Sequence, residues 1–172
     1  MRALDSHIRI IEYLPQYHMA CESLLVELEK YLISMDEDHL DALGEGYKEK
    51  MLDYELNQVA QKNGKCFIAV FNNSVVGLIM GIQREYSLED SWDYTCPKAG
   101  IITELVIAEA YRQNGIGNAL MSQMENYFAD IGCTYIFVDI FAYNVSAFKF
   151  YKAKGFHPRM ITAIKEIDQP KC

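Results

Sequence analysis

Two strand-length apolar runs, residues 65–71 and 75–83, are joined through Asn72-Asn73, and this pair constrains the fold more than any other feature of the chain. Asparagine tolerates the positive φ of a tight hairpin turn, so the runs predict an antiparallel pair. Upstream, and again from residue 116, apolar residues recur at steps of three and four. Upstream, Tyr17, Cys21, Leu24, Leu28, Tyr31 and Leu32 mark one helix face, and Tyr47, Met51, Leu52, Leu56 and Val59 mark a second that ends near Asn63-Gly64. A short strand over residues 7–14, stopped at Pro15, precedes the first helix, and residues 35–46 form an acidic turn region between the two helices. Downstream, residues 84–98 read as a polar loop and residues 99–108 as a strand. A glycine-bearing turn over residues 111–117 leads into a helix marked by Ile116, Leu120, Met124, Tyr127, Phe128 and Ile131 and ended by Gly132. Residues 135–142 are apolar except for Asp139, the pattern of a strand covered on both faces. A further helix begins around Ala147, Phe150 and Tyr151 and closes at Gly155, and residues 156–167 read as one or two closing strands. The order predicts an α/β mixed sheet with helices on its faces.

Composition narrows what such a domain could do. The 172 residues suit one domain spanning 1–172. With 16 Lys and Arg against 24 Asp and Glu, the net charge is −8, which repels phosphate backbones and argues against nucleic acid as a partner. No apolar run approaches the roughly 18–20 residues of a membrane span, and residues 1–13 lack the pattern of a signal peptide. The five cysteines are scattered, with no CxxC pair and no nearby histidine in a ligand pattern. That predicts no metal, no disulfide framework and reduced thiols in a cytoplasmic protein. None of the four histidines stands in a context that would activate a cysteine nucleophile.

The chemistry concentrates in the second half. Arg112-Gln113-Asn114-Gly115-Ile116-Gly117 lies between a strand and a helix. Glycines there let a ligand approach the backbone, and the helix start offers unpaired N–H groups and the positive end of its dipole, an anion site. No Gly-Lys-Ser/Thr follows, and Leu120 stands where a third Rossmann glycine would fall. On this hexapeptide alone, a turn needing glycine only for its geometry serves equally well. A second segment follows the next strand: Asn144-Val145-Ser146-Ala147-Phe148-Lys149-Phe150-Tyr151-Lys152-Ala153-Lys154-Gly155-Phe156. This N-x-x-A-x-x-F-Y-x-x-x-G-F pattern resembles the GCN5-related N-acetyltransferase (GNAT) superfamily. So does the stretch from Leu105 to Gly117, with L-x-V, an aromatic, and R-x-x-G-x-G. Both motifs stand in the family's order and spacing.

The resemblance implies a mostly antiparallel mixed sheet of about six to seven strands, splayed between strands 4 and 5 and flanked by about four helices. Acetyl-CoA would lie in the splay as co-substrate. The backbone of Gln113, Asn114, Gly115, Ile116, Gly117 and Asn118 would cradle its pyrophosphate, flanked by Arg112. Leu105, Val106 and Ile107 would pair with the pantetheine arm like an added strand, the N–H near Ile107 facing the thioester oxygen. Asn144 would bind near the pantetheine or cap the last helix, and Tyr151 would protonate the leaving thiolate. Glu104 is the candidate base or ligand for the acceptor amine, and Asp139 a structural acid or a second acceptor-site carboxylate. The acidic stretches 36–45 and 85–93, with Tyr86, Trp92 and Tyr94, would border the acceptor, although solvated loop charge accounts for them too.

The function implied is acetyl transfer to a primary amine, with a small cationic acceptor favoured over a protein N-terminus or lysine. A non-catalytic acyl-CoA-binding module is the alternative class. A homodimer is compatible with this reading.

Overall fold

The computed structural model describes residues 7–167. They fall into two compact units, the first closing at Asp139 and the second opening at Ile140. In the first unit, β1 (Arg9–Glu12) leads through a 3-10 turn at Pro15–Tyr17 into α1 (His18–Met35) and α2 (Tyr47–Gln61). The strands β2 (Lys65–Phe71) and β3 (Ser74–Gln83) follow, then a one-turn helix α3 (Asp90–Asp93), β4 (Ala99–Ile107), α4 (Ile116–Asp130) and β5 (Tyr135–Val138). The sheet order is β1-β2-β3-β4-β5. The first four strands are antiparallel neighbours, and β5 runs parallel to β4. This is the expected α/β mixed sheet with helices on its faces.

The hairpin forms as the sequence requires. Asn72 and Asn73 take φ of 47° and 62°, the two positive values a twisted two-residue turn needs. On one sheet face, Cys21, Leu24 and Leu25 of α1 and Leu52 of α2 pack against Cys66, Ile68, Val70, Leu78, Met80 and Val106. On the other face lies α4, with Leu120, Met121, Met124 and Phe128 almost wholly buried. Glycine lets α4 come this close. A Cβ on Gly100 would stand 2.5 Å from the Phe128 ring, and one on Gly81 2.9 Å from it.

Two expectations are corrected. The sheet has five strands among the described residues, not six or seven, and residues 156–167 contain none. Met160 and Ile161 there are 80% and 85% exposed. A strand exists through its ladder, and apolar residues without a paired neighbour do not make one. The fifth strand also stops at Val138 rather than residue 142, and as the last strand in the order it leaves Tyr135 60% exposed instead of covered. In the second unit, α5 (Val145–Ala153) is followed by Gly155 at φ 91°, the glycine stop read from the sequence.

The contact between α4 and the sheet yields a test. Gly100→Val should cost about 1–3 kcal/mol by overpacking against Phe128. Adding Phe128→Leu should recover part of that loss, because the obstructing ring is gone. Thermal midpoints of the two single variants and the double variant check this; strictly additive losses would mean that the two sites do not share space.

Candidate active site

β4 is paired on both sides for only half its length. Its parallel ladder with β5 covers Ala99, Gly100, Ile101 and Ile102. The antiparallel ladder with β3 continues from Glu104 through Leu105 and Val106 to Ile107. The edge of β4 that faced β5 therefore opens beyond Ile102, which is the splay between strands 4 and 5. Leu105, Val106 and Ile107, expected to meet an extended ligand through main chain, line that edge.

A bulge sits where the splay begins. Met80 faces Glu104 and Gly81 faces Ile102, so Thr103 is an extra residue in β4. A strand alternates its faces with period two, and one inserted residue reverses the alternation beyond it. Gly81, the partner of Ile102, faces Phe128 and Met124 of α4, as Gly100 does. Without the bulge, Glu104 would face α4 as well. With it, Val106 joins the core under α1 and α2, and Glu104 shares that face.

Glu104 there meets two more acids. Burial pushes its carboxyl up to about 8, helped by the charges of Glu55 on α2 and Glu29 on α1. Glu55 is only 7% exposed, and its Oε2 has no hydrogen-bond partner. Tyr47 at the start of α2 donates its hydroxyl to Glu29 Oε2 at 3.5 Å. Burial and the three carboxylates together raise the Tyr47 phenol. Glu29 is itself raised, by burial first and then by Asp41. Glu29 and Glu55 were not singled out from the sequence, and Tyr47 was read only as a position on the second helix face. The available signal was spacing: Glu55 lies three residues after Leu52, and Glu29 four after Leu25, so each acid follows a core position on its own helix face.

The glycine turn follows β4 directly. Gln113 and Gly115 take φ of 64° and 81°. Gly115 is the N-cap of α4, with no side-chain cap. The first bond of the helical ladder runs from Ala119 N–H to Gly115 O at 3.1 Å. The N–H groups of Ile116 and Gly117 precede that ladder, and alternating backbone handedness before a helix start makes an anion-binding concavity. Asn114 stiffens the turn, donating its Nδ2 to Tyr111 O at 3.3 Å. Arg112 ties it down: Nε donates to Ile107 O at 3.0 Å, one amino group pairs with Glu27 at 3.3 Å, and the guanidinium lies 5.1 Å from the Tyr31 ring centre. Glu27 also accepts the Glu109 N–H at 3.0 Å. Sequence reading missed Glu27, whose role depends on a contact across the fold.

Asn144 and Tyr151 belong to the second unit. Asn144 Oδ1 accepts the Ala147 N–H at 2.9 Å, so its capping role is present. Tyr151 is buried, with the rings of Phe150 and Phe156 5.2 and 5.4 Å away. Asp139 is exposed. Several loop acids are engaged in organising backbone. Asp36 accepts the N–H groups of Asp38, Leu40 and Asp41, which hold its carboxyl below the usual range. Asp90 accepts from Ser87 N–H at 2.7 Å. Tyr86 and Tyr94, expected to meet a cationic acceptor, already hold the guanidinium of Arg84, 4.9 and 5.6 Å from their ring centres. Trp92 is 74% exposed. Burial lifts the Cys21 thiol up to about 12 and raises Cys66 further, which makes both unreactive. Among the described residues, no group of three His, Cys, Asp or Glu could hold a metal ion, and no helix is long and apolar enough to cross a membrane.

A sheet opened along β4, with an amide-rich turn at the next helix start, is the splayed mixed sheet that the sequence motifs imply. The sequence model of the acetyltransferase (GNAT) family matches residues 32–156, and the chain belongs to that family. It is 34% identical over 98 residues to an uncharacterized N-acetyltransferase of Methanocaldococcus jannaschii, covering 56% of this chain and 55% of that protein. The chain thus spans about half the length of that curated relative. Among solved structures, a Bacillus halodurans protein superposes with a TM-score of 0.78 at 16% identity, covering 92% of this chain and 99% of that one. An aminoglycoside antibiotic 6'-N-acetyltransferase from Acinetobacter haemolyticus gives 0.67 at 16%, over 93% and 99%. AAC(6')-Iy in complex with a CoA bisubstrate analogue gives 0.66 at 17%, over 94% and 100%. At such identities the likeness is one of fold.

The raised carboxyl of Glu104 has a consequence for stability. The folded chain keeps the proton up to about pH 8, whereas an unfolded glutamate loses it near 4.3. Between those values the folded state binds more protons than the unfolded one, so stability falls as pH rises, and the penalty is complete above the folded value. Glu104→Gln should therefore raise the thermal midpoint at pH 8.5 and change it little at pH 4. An equal shift at both pH values would locate the effect in packing rather than charge.

Proposed function

We propose that the chain transfers an acetyl group from acetyl-CoA to a primary amine of a small cationic molecule, by direct attack in a ternary complex. The observation that carries this reading is the β4 edge that opens after Ile102 and runs into the turn at the start of α4. An extended, polar arm can add to that edge, and an anionic group can rest on the N–H groups of Ile116 and Gly117. Family membership supports acyl transfer, and a neighbour of the same fold in complex with a CoA bisubstrate analogue supports CoA as the donor. One family model spans both compact units, and we take them as one functional domain. We place it in the cytoplasm, where its thiols stay reduced.

The residues divide the work as follows. Gln113, Asn114, Gly115, Ile116, Gly117 and Asn118 bind the pyrophosphate by backbone. Arg112 holds the turn in register through Ile107 O and Glu27. Leu105, Val106 and Ile107 align the thioester, and an N–H near Ile107 stabilises charge on its oxygen, worth roughly 3–4 kcal/mol by analogy with other oxyanion donors. The amine nitrogen attacks the carbonyl carbon, and the carbon–sulfur bond breaks. Glu104, whose carboxyl titrates at about 8, takes the proton the amine loses; a base works best with its pKa near the working pH. On its motif, Tyr151 gives the proton that the thiolate gains, and Asn144 caps α5 beside it in sequence. One proton leaves the amine and one reaches the sulfur, so the products are an N-acetylamine and free CoA.

Release of free thiol from acetyl-CoA across a panel of amines tests this reading. CoA titration should give heat and a thermal shift in the wild type, and Gly115→Val, strained at φ 81°, should lose both while remaining folded. Tyr151→Phe should retain CoA binding and lose about 10²-fold in turnover, the usual scale for a general acid. No heat and no thermal shift with CoA in the wild type would overturn the proposal. Unchanged turnover in Tyr151→Phe would remove the tyrosine from it.

A further inference from the structure

We infer that the acceptor is a small molecule carrying a second ammonium group, received by the carboxylates of Glu55 and Glu29, while Glu104 beside them serves the attacking amine. The inference rests on the acetyl-transfer reading and adds to it the charge and spacing of the acceptor. Its first support is Glu55. This side chain is less than a tenth exposed, it lies with acids, and its Oε2 has no hydrogen-bond donor. A buried carboxylate oxygen left without a donor is costly, so the position is one that a bound donor relieves. Its second support is convergence. The three acids come from α1, α2 and β4, and the bulge at Thr103 turns the third one toward the others. The charged groups acting on Glu104 are both carboxylates, and Asp41 adds a fourth negative charge against Glu29. Tyr47 donates to Glu29 but carries no charge.

What fits is a compact organic cation. The three acids do not form a group that could hold a metal ion. A primary alkylammonium presents three N–H donors on a narrow stem, enough for the unpartnered Glu55 oxygen and one neighbouring carboxylate. A guanidinium already occupies the aromatic site formed by Tyr86 and Phe137, so that site is not open to the acceptor. The reaction needs the attacking amine neutral, while the anchoring group must stay charged. A molecule with two amines meets both demands, and Glu55, far from the CoA turn in sequence and on another helix, becomes the residue that selects it.

Calorimetry on the CoA-bound protein tests this with 1,4-diaminobutane, 1-aminobutane and a short lysine-containing peptide, each in two buffers of different ionisation heat at pH 7. The diamine should bind at least about tenfold tighter than the monoamine, a difference of about 1.4 kcal/mol. Its binding should release a fraction of a proton, because an ammonium beside Glu104 favours the ionised carboxylate; Glu29, Glu55, Asp41 and Tyr47 are the other titratable groups around it. Glu55→Gln should remove the diamine preference and leave CoA affinity unchanged. Glu29→Gln, half-exposed and safer for folding, should weaken the preference in the same direction. Equal binding of diamine and monoamine, or an undiminished preference in both variants, overturns the inference. Peptide binding as tight as the diamine overturns its small-molecule part. If CoA itself fails to bind, the acetyl-transfer reading fails; if CoA binds and monoamines are acetylated as well as diamines, only the inference fails.

Discussion

β3 and β4 cannot pair one to one past Gly81, because Thr103 is one residue too many, and most of the site follows from that mismatch. The extra residue ends the regular register at the level where β5 also stops pairing with β4. Beyond that level β4 has one open edge, because the ladder with β5 ends at Ile102. The extra residue also moves Glu104 from the face of α4 to the face of α1 and α2. The open backbone edge and the turned carboxylate thus lie on the same strand, within a few residues of each other.

The surrounding structure keeps this arrangement rigid at some cost. Arg112 and Glu27 link the end of β4 to α1, with Tyr31 beneath the guanidinium, so the turn is fixed to a helix rather than floating on solvent. Half-exposed ion pairs contribute little to stability; their value here is positional. The raised carboxyl of Glu104 opposes folding as the pH climbs toward 8, because burial and two neighbouring carboxylates disfavour its charged form. Such unfavourable groups persist in proteins where they serve binding or catalysis. Phe128 and the glycines beneath it supply the dense packing on the opposite face that can tolerate the loss.

Much of this was legible in the sequence. The hairpin, both upstream helices, α4 and α5 all follow from apolar spacing with Asn and Gly at the stops, since those patterns report local geometry. The glycine turn was equally legible, because its chemistry lies in contiguous residues. The carboxylate cluster was not. Glu29, Glu55 and Glu104 are separated by long stretches of chain, and only the bulge, which no residue pattern announces, brings the third to the others. Tyr86 and Tyr94 illustrate the converse: their composition suggested a cation site, and the cation turned out to be Arg84 of the same chain. The closing strands failed because residues 156–167 have a strand's composition but no ladder partner among the described residues.

A crystal structure of the chain grown with acetyl-CoA is the most direct test of the account. The predicted result is density with the pyrophosphate on the N–H groups of Ile116 and Gly117, the pantetheine arm hydrogen-bonded along Leu105, Val106 and Ile107, and the thioester carbon facing Glu104. Acetyl-CoA bound elsewhere, or a β4 edge still empty at saturating concentration, would contradict it.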